Sequence, residues 1–282
     1  MLLVSSCRTL LQARGSRPRG ACYSRFYAAI LSVVLLTTLP GLNARAALQD
    51  EIQVYDDGIN APGEFGLELH VNTTPSGNGA PSYPGEVTSL HGARFTGEFS
   101  YGLSRDFEAG MYIPTAIDAN GSYHLAGTKL RLKWLPLHDE PGVNPWFAGS
   151  NFEFARVGRR FEAARYAAEE KLIGGYRTQT WLIAANLNLD WELAGHTADS
   201  EPDLNSGLKI VRTLCDGVAT GIEYYSDFGK LTDRLSLRDQ DHRLFLVVDV
   251  NRKPWVFDFG VGRGLTDAAD HWTIKAIFEI PL

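Results

Sequence analysis

Two kinds of side chain in this sequence could do chemistry: histidines lying near serines, and full charges that recur at every second position. The seven histidines are His70, His91, His124, His138, His196, His242 and His271. No two stand four residues apart, so no helix-borne metal pair is indicated. A serine hydrolase needs a hydroxyl, an imidazole to take its proton and a third group to orient the ring. His196 with Ser200, and His91 with Ser89, are the sequence neighbours from which such a pair could be built; as polar loop residues they need no chemical role. No G-x-S-x-G elbow, H-E-x-x-H helix or P-loop is present. The run Gly260-Val261-Gly262-Arg263-Gly264 resembles a nucleotide loop only in composition. It ends an extended run with no helix after it, and a bulge or turn is expected there. These residues predict no enzyme, no cofactor and no metal centre.

The charged rows are the stronger signal. Lys129, Arg131 and Lys133 alternate with Leu130, Leu132 and Trp134. On a strand this puts three cations on one face and three apolar groups on the other. One use of such a row is a stripe in a pore that attracts anions. The other is a salt-bridge ladder with Glu153 on the following strand and Glu98 or Glu108 on the preceding ones, because neighbouring strands lie ~4.8 Å apart. The ladder is the simpler reading. The same face-sorting recurs elsewhere. Taken together, Glu68, Arg94, Glu98, Lys129, Arg131, Lys133, Glu153, Asp190, Glu192, Glu223 and Asp258 form a set of candidate lumen-lining charges.

The elements that would hold these charges are strands. Phe65, Leu67, Leu69 and Val71 alternate with Gly66, Glu68, His70 and Asn72; Phe95, Gly97, Phe99 and Tyr101 alternate with Arg94, Thr96, Glu98 and Ser100. Leu187, Leu189, Trp191 and Leu193 against Asn186, Asn188, Asp190 and Glu192 is the clearest case. A helix would smear those apolar groups around its circumference, whereas a strand sorts them completely. About twelve such runs follow one another, each near the ~10 residues a tilted strand needs to cross a bilayer. Tight turns at 103–106, near Thr178, at 215–217 and at 251–253 alternate with longer connections at 74–91, 115–127, 156–168, 194–205, 226–241 and 263–270. Short turns at one end and long loops at the other are the habit of outer-membrane barrels, as is an even strand number.

The N-terminus supports export. Six arginines and no acid occur in residues 1–46, an apolar block runs from Phe26 to Leu39, and Ala44-Arg45-Ala46 places small residues at the −3 and −1 positions. This is the order of a secretory signal, with cleavage expected after Ala46. The apolar block is short of the ~20 residues of a spanning helix. Removing it leaves 21 of the 27 basic residues against all 33 acids, a formal charge of −12, which argues against nucleic acid. Cys7 and Cys22 fall in the leader and Cys215 beyond it, so no cysteine-based zinc site is indicated. Residues 47–62 read as a short periplasmic lead-in and 63–282 as the barrel.

Alternation alone does not distinguish a lipid-facing barrel from a soluble one whose apolar face turns inward. Aromatics at run ends (Tyr101, Phe107, Trp134, Trp146, Trp191, Trp255, Trp272) favour girdles at two membrane interfaces. So does the aromatic-rich final run, although the chain ends Ile280-Pro281-Leu282 and lacks a terminal Phe or Trp. The segments "DEIQVYDDGINAPGEFGLELHVN", "FEAGMYIP", "GTKLRLKW", "EYYSDFG" and "FDFGVGRGLTDAADHWTIKAIF" resemble a broad group of proteobacterial outer-membrane barrels, similar to the transporter barrels of the phenol-degradation MetA-pathway type. The resemblance implies location and fold, with transport as the associated role. It carries no catalytic residue.

The sequence thus predicts an all-β, antiparallel up-and-down transmembrane barrel of about twelve strands in the bacterial outer membrane. Its expected partners are outer-membrane lipid, the barrel-assembly machinery during insertion and an unspecified small solute. The expected role is a passive channel or transporter. The alternatives are a structural or interaction barrel with a plugged, salt-bridged lumen, an outer-membrane enzyme acting on lipid, and a secreted soluble β protein.

Overall fold

The computed structural model describes residues 50–194 and 200–280. The signal segment, residues 47–49 and His196 lie outside the described residues. Among the described residues thirteen strands occur in chain order: β1 (Phe65–Ser76), β2 (Ala93–Gly102), β3 (Phe107–Ile117), β4 (Tyr123–Leu125), β5 (Gly127–Leu137), β6 (Trp146–Val157), β7 (Tyr166–Arg177), β8 (Trp181–Ala194), β9 (Asp203–Cys215), β10 (Val218–Lys230), β11 (Asp241–Arg252), β12 (Trp255–Gly264) and β13 (Trp272–Glu279). No helix occurs among the described residues.

Every pairing between named strands is antiparallel, and β1 pairs with both β2 and β13. The sheet therefore closes on itself, with Leu69 opposite Gly97 on one side and Phe278 on the other. Closure leaves no edge with unpaired backbone, which a wall in hydrocarbon requires. Twelve strands form the ring. The short β4 pairs only with the end of β3, inside the connection to β5. The sequence reading missed it because three residues carry no periodicity.

Side-chain placement answers the question that alternation left open. On β5 the apolar row faces out, with Leu130 58 % and Leu132 44 % exposed, while Arg131 and Lys133 are 8 % and 6 % exposed. A soluble barrel would show the reverse. The exterior is apolar and carries aromatic pairs at the end where the short turns lie: Phe65 with Tyr101, Phe107 with Trp134 and Trp146 with Tyr176. Short connections do not fill that end entirely. Residues 138–145 form an eight-residue link there, drawn tight by the Glu140–Asn144 bridge.

Two expectations require correction. The glycine run 260–264 is neither bulge nor turn. It continues β12 in unbroken register against β11 and β13. A Cβ on Gly262 would stand 2.5 Å from the Phe245 ring, and one on Gly260 would stand 3.0 Å from Lys275 Cε. These glycines make room for large lumenal neighbours. The second correction is larger. Residues 50–62, read as a periplasmic lead-in, lie inside the ring. Ile52, Val54 and Tyr55 are buried against Phe147 of β6, Ile173 of β7, Leu182 and Ala184 of β8, Val211 of β9, and Phe245 and Val247 of β11. Apolar groups on the inner face of five strands need a dry partner, and this segment supplies it.

Candidate functional site

The candidate site is the lumen with its internal segment. Residues 50–62 carry four acids (Asp50, Glu51, Asp56 and Asp57) and no base. The wall offers matching cations. Lys129 of β5 meets Asp50 at 2.9 Å. Arg177 at the end of β7 meets Asp56 at 3.1 Å and pairs closely with Asp57. Lys275 of β13 donates to the Ile52 carbonyl (3.2 Å), and Lys133 donates to that of Gly58. Asn186 of β8 clamps the Tyr55 backbone from both sides, accepting from its N–H at 2.7 Å and donating to its carbonyl at 2.9 Å. Without strand partners, the backbone of this segment takes its hydrogen bonds from wall side chains, as any buried backbone must.

Two buried ionic knots flank the segment. In the first, Arg131 reaches Glu98 (2.5 Å) and Glu108 (2.7 Å), and Glu98 also takes His70 Nε2 at 3.0 Å. Tyr55 lies beside it. Its hydroxyl bonds closely to that of Tyr112, and its ring has Lys171 Nζ 4.0 Å from the centroid. Cations at a ring face gain from the π quadrupole, the more so when desolvated. The second knot joins Lys209 to Glu223 (3.1 Å), Asp249 (3.0 Å) and Asp258 (3.0 Å), and Lys275 to Asp258 (3.1 Å) and closely to Glu223.

All eleven candidate charges lie on lumen-facing rows. Glu98 and Arg131 meet in the first knot, with Glu68 beside them at 3.8 Å from His70; Glu223 and Asp258 meet in the second. Lys129 and Lys133 serve the internal segment. Glu153 is opposite Arg131 in register, yet it accepts hydrogen bonds from Asn151 (2.8 Å) and Tyr55 (3.4 Å). Arg94 covers the Phe161 ring at 4.7 Å, Asp190 accepts from Asn205, and Glu192 lines the outer part of the lumen. The ladder from the cation row therefore forms at Arg131, and the row's outer and inner members hold the plug. Sequence reasoning missed the plug, although two signals were present: an all-acidic stretch just before the first strand, and apolar residues on both faces of Leu244–Val248.

The donor atoms of Glu68, His70 and Glu98 lie within 4.8 Å of one another, the spacing of a metal site. Arg131 already neutralises Glu98, so charge balance calls for no cation there. Of the serine–histidine pairs, Ser89 donates to Asp270 (3.0 Å) and not to His91. Ser76 instead meets His271 Nδ1 at 3.3 Å, but His271 Nε2 is buried with no partner, so among the described residues no third group orients that ring.

The space left around the segment includes a cavity of about 350 Å³ toward Asp56, Arg177 and Asp249, and one of about 170 Å³ toward Asp50, Lys129 and Asp190. Around Lys129, two groups outside the wall strands have shifted acidity. Burial opposes the charge on Asp50, yet Lys129 and Arg94 hold its carboxyl below the usual range. In the connection between β6 and β7, burial pushes Glu162 up to about 7; Lys129 and Arg94 pull the other way, while Asp50 and Glu192 add to the rise. A carboxyl raised by folding favours the folded state below its folded pKa and opposes it above. Raising the pH from about 5 to about 8 should therefore lower the thermal midpoint of the native protein relative to Glu162→Gln. Band-shift melting at the two pH values checks this; parallel curves for the two proteins would refute it.

A closed twelve-stranded barrel with an apolar exterior and an occupied polar lumen defines this protein as one of the outer-membrane barrel folds. The COG4313 outer membrane channel from Pseudomonas putida F1 superposes with a TM-score of 0.57 at 11 % identity, over 82 % of this chain and 99 % of that one. The KdgM porin (TM-score 0.50, 10 % identity) and the NanC porin (0.51, 9 %) each match 77 % of this chain, over 99 % and 100 % of their own. No family model matches the sequence, and no curated protein matches it as a relative. At these identities the likeness is one of fold.

Proposed function

We propose that the protein is an outer-membrane channel for small solutes, closed at rest by its own N-terminal segment, and that it is not an enzyme. The observation that carries this reading is the lumen itself: charged rows face the interior, and the body filling much of it is a short, separately docked piece of chain. A barrel built only as a scaffold could fill its lumen with wall side chains, as eight-stranded barrels do. The segment's docking also favours a second reading, a permanently plugged structural barrel. A transporter of the MetA-pathway kind is the finer version of the first.

Localisation follows from the same reading: export by the leader, cleavage after Ala46, insertion by the assembly machinery, and outer-membrane lipid around the wall. Fractionation should place the protein in the outer membrane as a band whose mobility changes on boiling, with Ala47 as its first residue. Recovery as a soluble periplasmic protein would refute the proposal. Planar-bilayer recording of the purified protein then separates the two readings. Discrete small conductance steps support the channel, and silence under all voltages supports the permanent plug.

A further inference from the structure

On the outside of the barrel, three arginines surround one apolar hollow at the end opposite the short turns. Arg156 stands on the outward row of β6, above Phe152 and Phe154, and lies opposite Thr128 of β5 and Tyr166 of β7. Arg159 and Arg165 belong to the connection that follows. All three line a cavity of about 750 Å³ floored by Leu125, Val157 and Ala163, with no acid in its lining. All three are exposed, and none has an ion-pair partner among the described residues. The loop is anchored rather than free, because Gly158 N–H bonds Ala126 at 2.7 Å and Val157 N–H bonds Arg165 at 3.1 Å. Phe154 stacks on Tyr166 at 6.1 Å just beneath, with Arg165 over the same tyrosine at 5.7 Å.

The location is peculiar for unpaired charge. This mature chain is acidic overall, and an outward row at the membrane boundary is a poor place for three cations unless the membrane supplies their counter-charge. An aromatic belt marks where acyl chains give way to headgroups. Guanidinium groups bind phosphate monoesters through paired N–H donors. A ligand that fits must carry more than one phosphate on a polar head, and acyl chains that run down past Phe154.

We propose that this hollow is a binding site for the phosphorylated glycolipid of the outer leaflet, lipid A, with its phosphates held by Arg156, Arg159 and Arg165. The inference rests on the outer-membrane reading above. Such a site would seat the barrel at a set depth and rim the β5–β7 face with ordered lipid.

The test is native mass spectrometry of the full mature protein released from detergent with bisphosphorylated lipid A. The same measurement is made with dephosphorylated lipid A and with phosphatidylglycerol. The variant is R156Q/R159Q/R165Q, and R105Q/R234Q/R238Q serves as a control that removes equal charge elsewhere. The wild type and the control should retain bisphosphorylated lipid A, and the site variant should hold it about tenfold more weakly. Equal retention by the site variant, equal binding of phosphatidylglycerol, or displacement by free inorganic phosphate at matched phosphate concentration would each overturn the proposal. A boiling-sensitive band for every variant shows that the barrel is intact. Loss of that band in the wild type itself would instead refute the outer-membrane reading, and this site with it.

Discussion

A chain lacking residues 47–59 should form a barrel that conducts several-fold more current than the full protein, and its selectivity should move toward anions. The docked segment buries Ile52, Val54 and Tyr55 against five strands, a contribution of roughly 1.5–3 kcal/mol for each large side chain. It also holds three acids, Asp50, Asp56 and Asp57, against Lys129 and Arg177. Removing it opens the lumen to water and leaves those cations facing the pore, where charge of one sign sets selectivity. The wall itself should survive, because its strand pairings run only through neighbours around the ring and do not include the segment. Single-channel conductance and reversal potential in a salt gradient read both effects. Asn186→Ala should give an intermediate phenotype, flickering openings, since it removes two hydrogen bonds to Tyr55 and nothing from the wall pairing. Unchanged current in the deletion would mean that the wall side chains, not the segment, close the pore.

Lys275→Ala should be the most destabilising single change in the wall, at about 3–5 kcal/mol. Lys275 is 0 % exposed and holds Glu223, itself 1 % exposed, together with Asp258 and the Ile52 carbonyl. Without it, Glu223, Asp249 and Asp258 share Lys209 alone among the bases of this knot, and each uncompensated charge keeps its desolvation cost. The control is Lys275→Met with Glu223→Gln. It removes one charge of each sign at similar volume and should lie within about 1 kcal/mol of wild type. The urea midpoint of the folded, boiling-sensitive band measures all three proteins. A single variant as stable as the double one would show that water replaces the missing ammonium and that the knot is wet.

The two experiments probe different parts of the same interior. The deletion tests a body that can leave, and the lysine variant tests ion pairs that cannot. Their contrast explains why the lumen is mixed in character. Near Phe245 and Val247 it is apolar because a peptide covers it, whereas around Glu98, Arg131, Lys209 and Glu223 it is ionic because opposite charges face one another across strands.

Much of the wall was legible in the order of residues. A strand turns over at every step, so Leu187 to Leu193 against Asn186 to Glu192 announced both a strand and its two faces. Turn residues announced most of the hairpins and their lengths. Which face meets lipid was not legible, because a soluble and a lipid-facing barrel share the period of two; only the exposed Leu130 and buried Arg131 separate them. The partners of each charge were not legible either. Arg131 finds Glu98 two strands back, and Lys275 finds Glu223 by reaching across the lumen, distances that closure of the ring sets and local spacing does not. The plug was least legible of all. Its thirteen described residues, 50–62, have no partner strand, so their structure comes from contacts with wall strands on many sides, from Asn72 and Thr96 nearby to Asn186 and Lys275 more than a hundred residues downstream, which are brought together only once the barrel has closed.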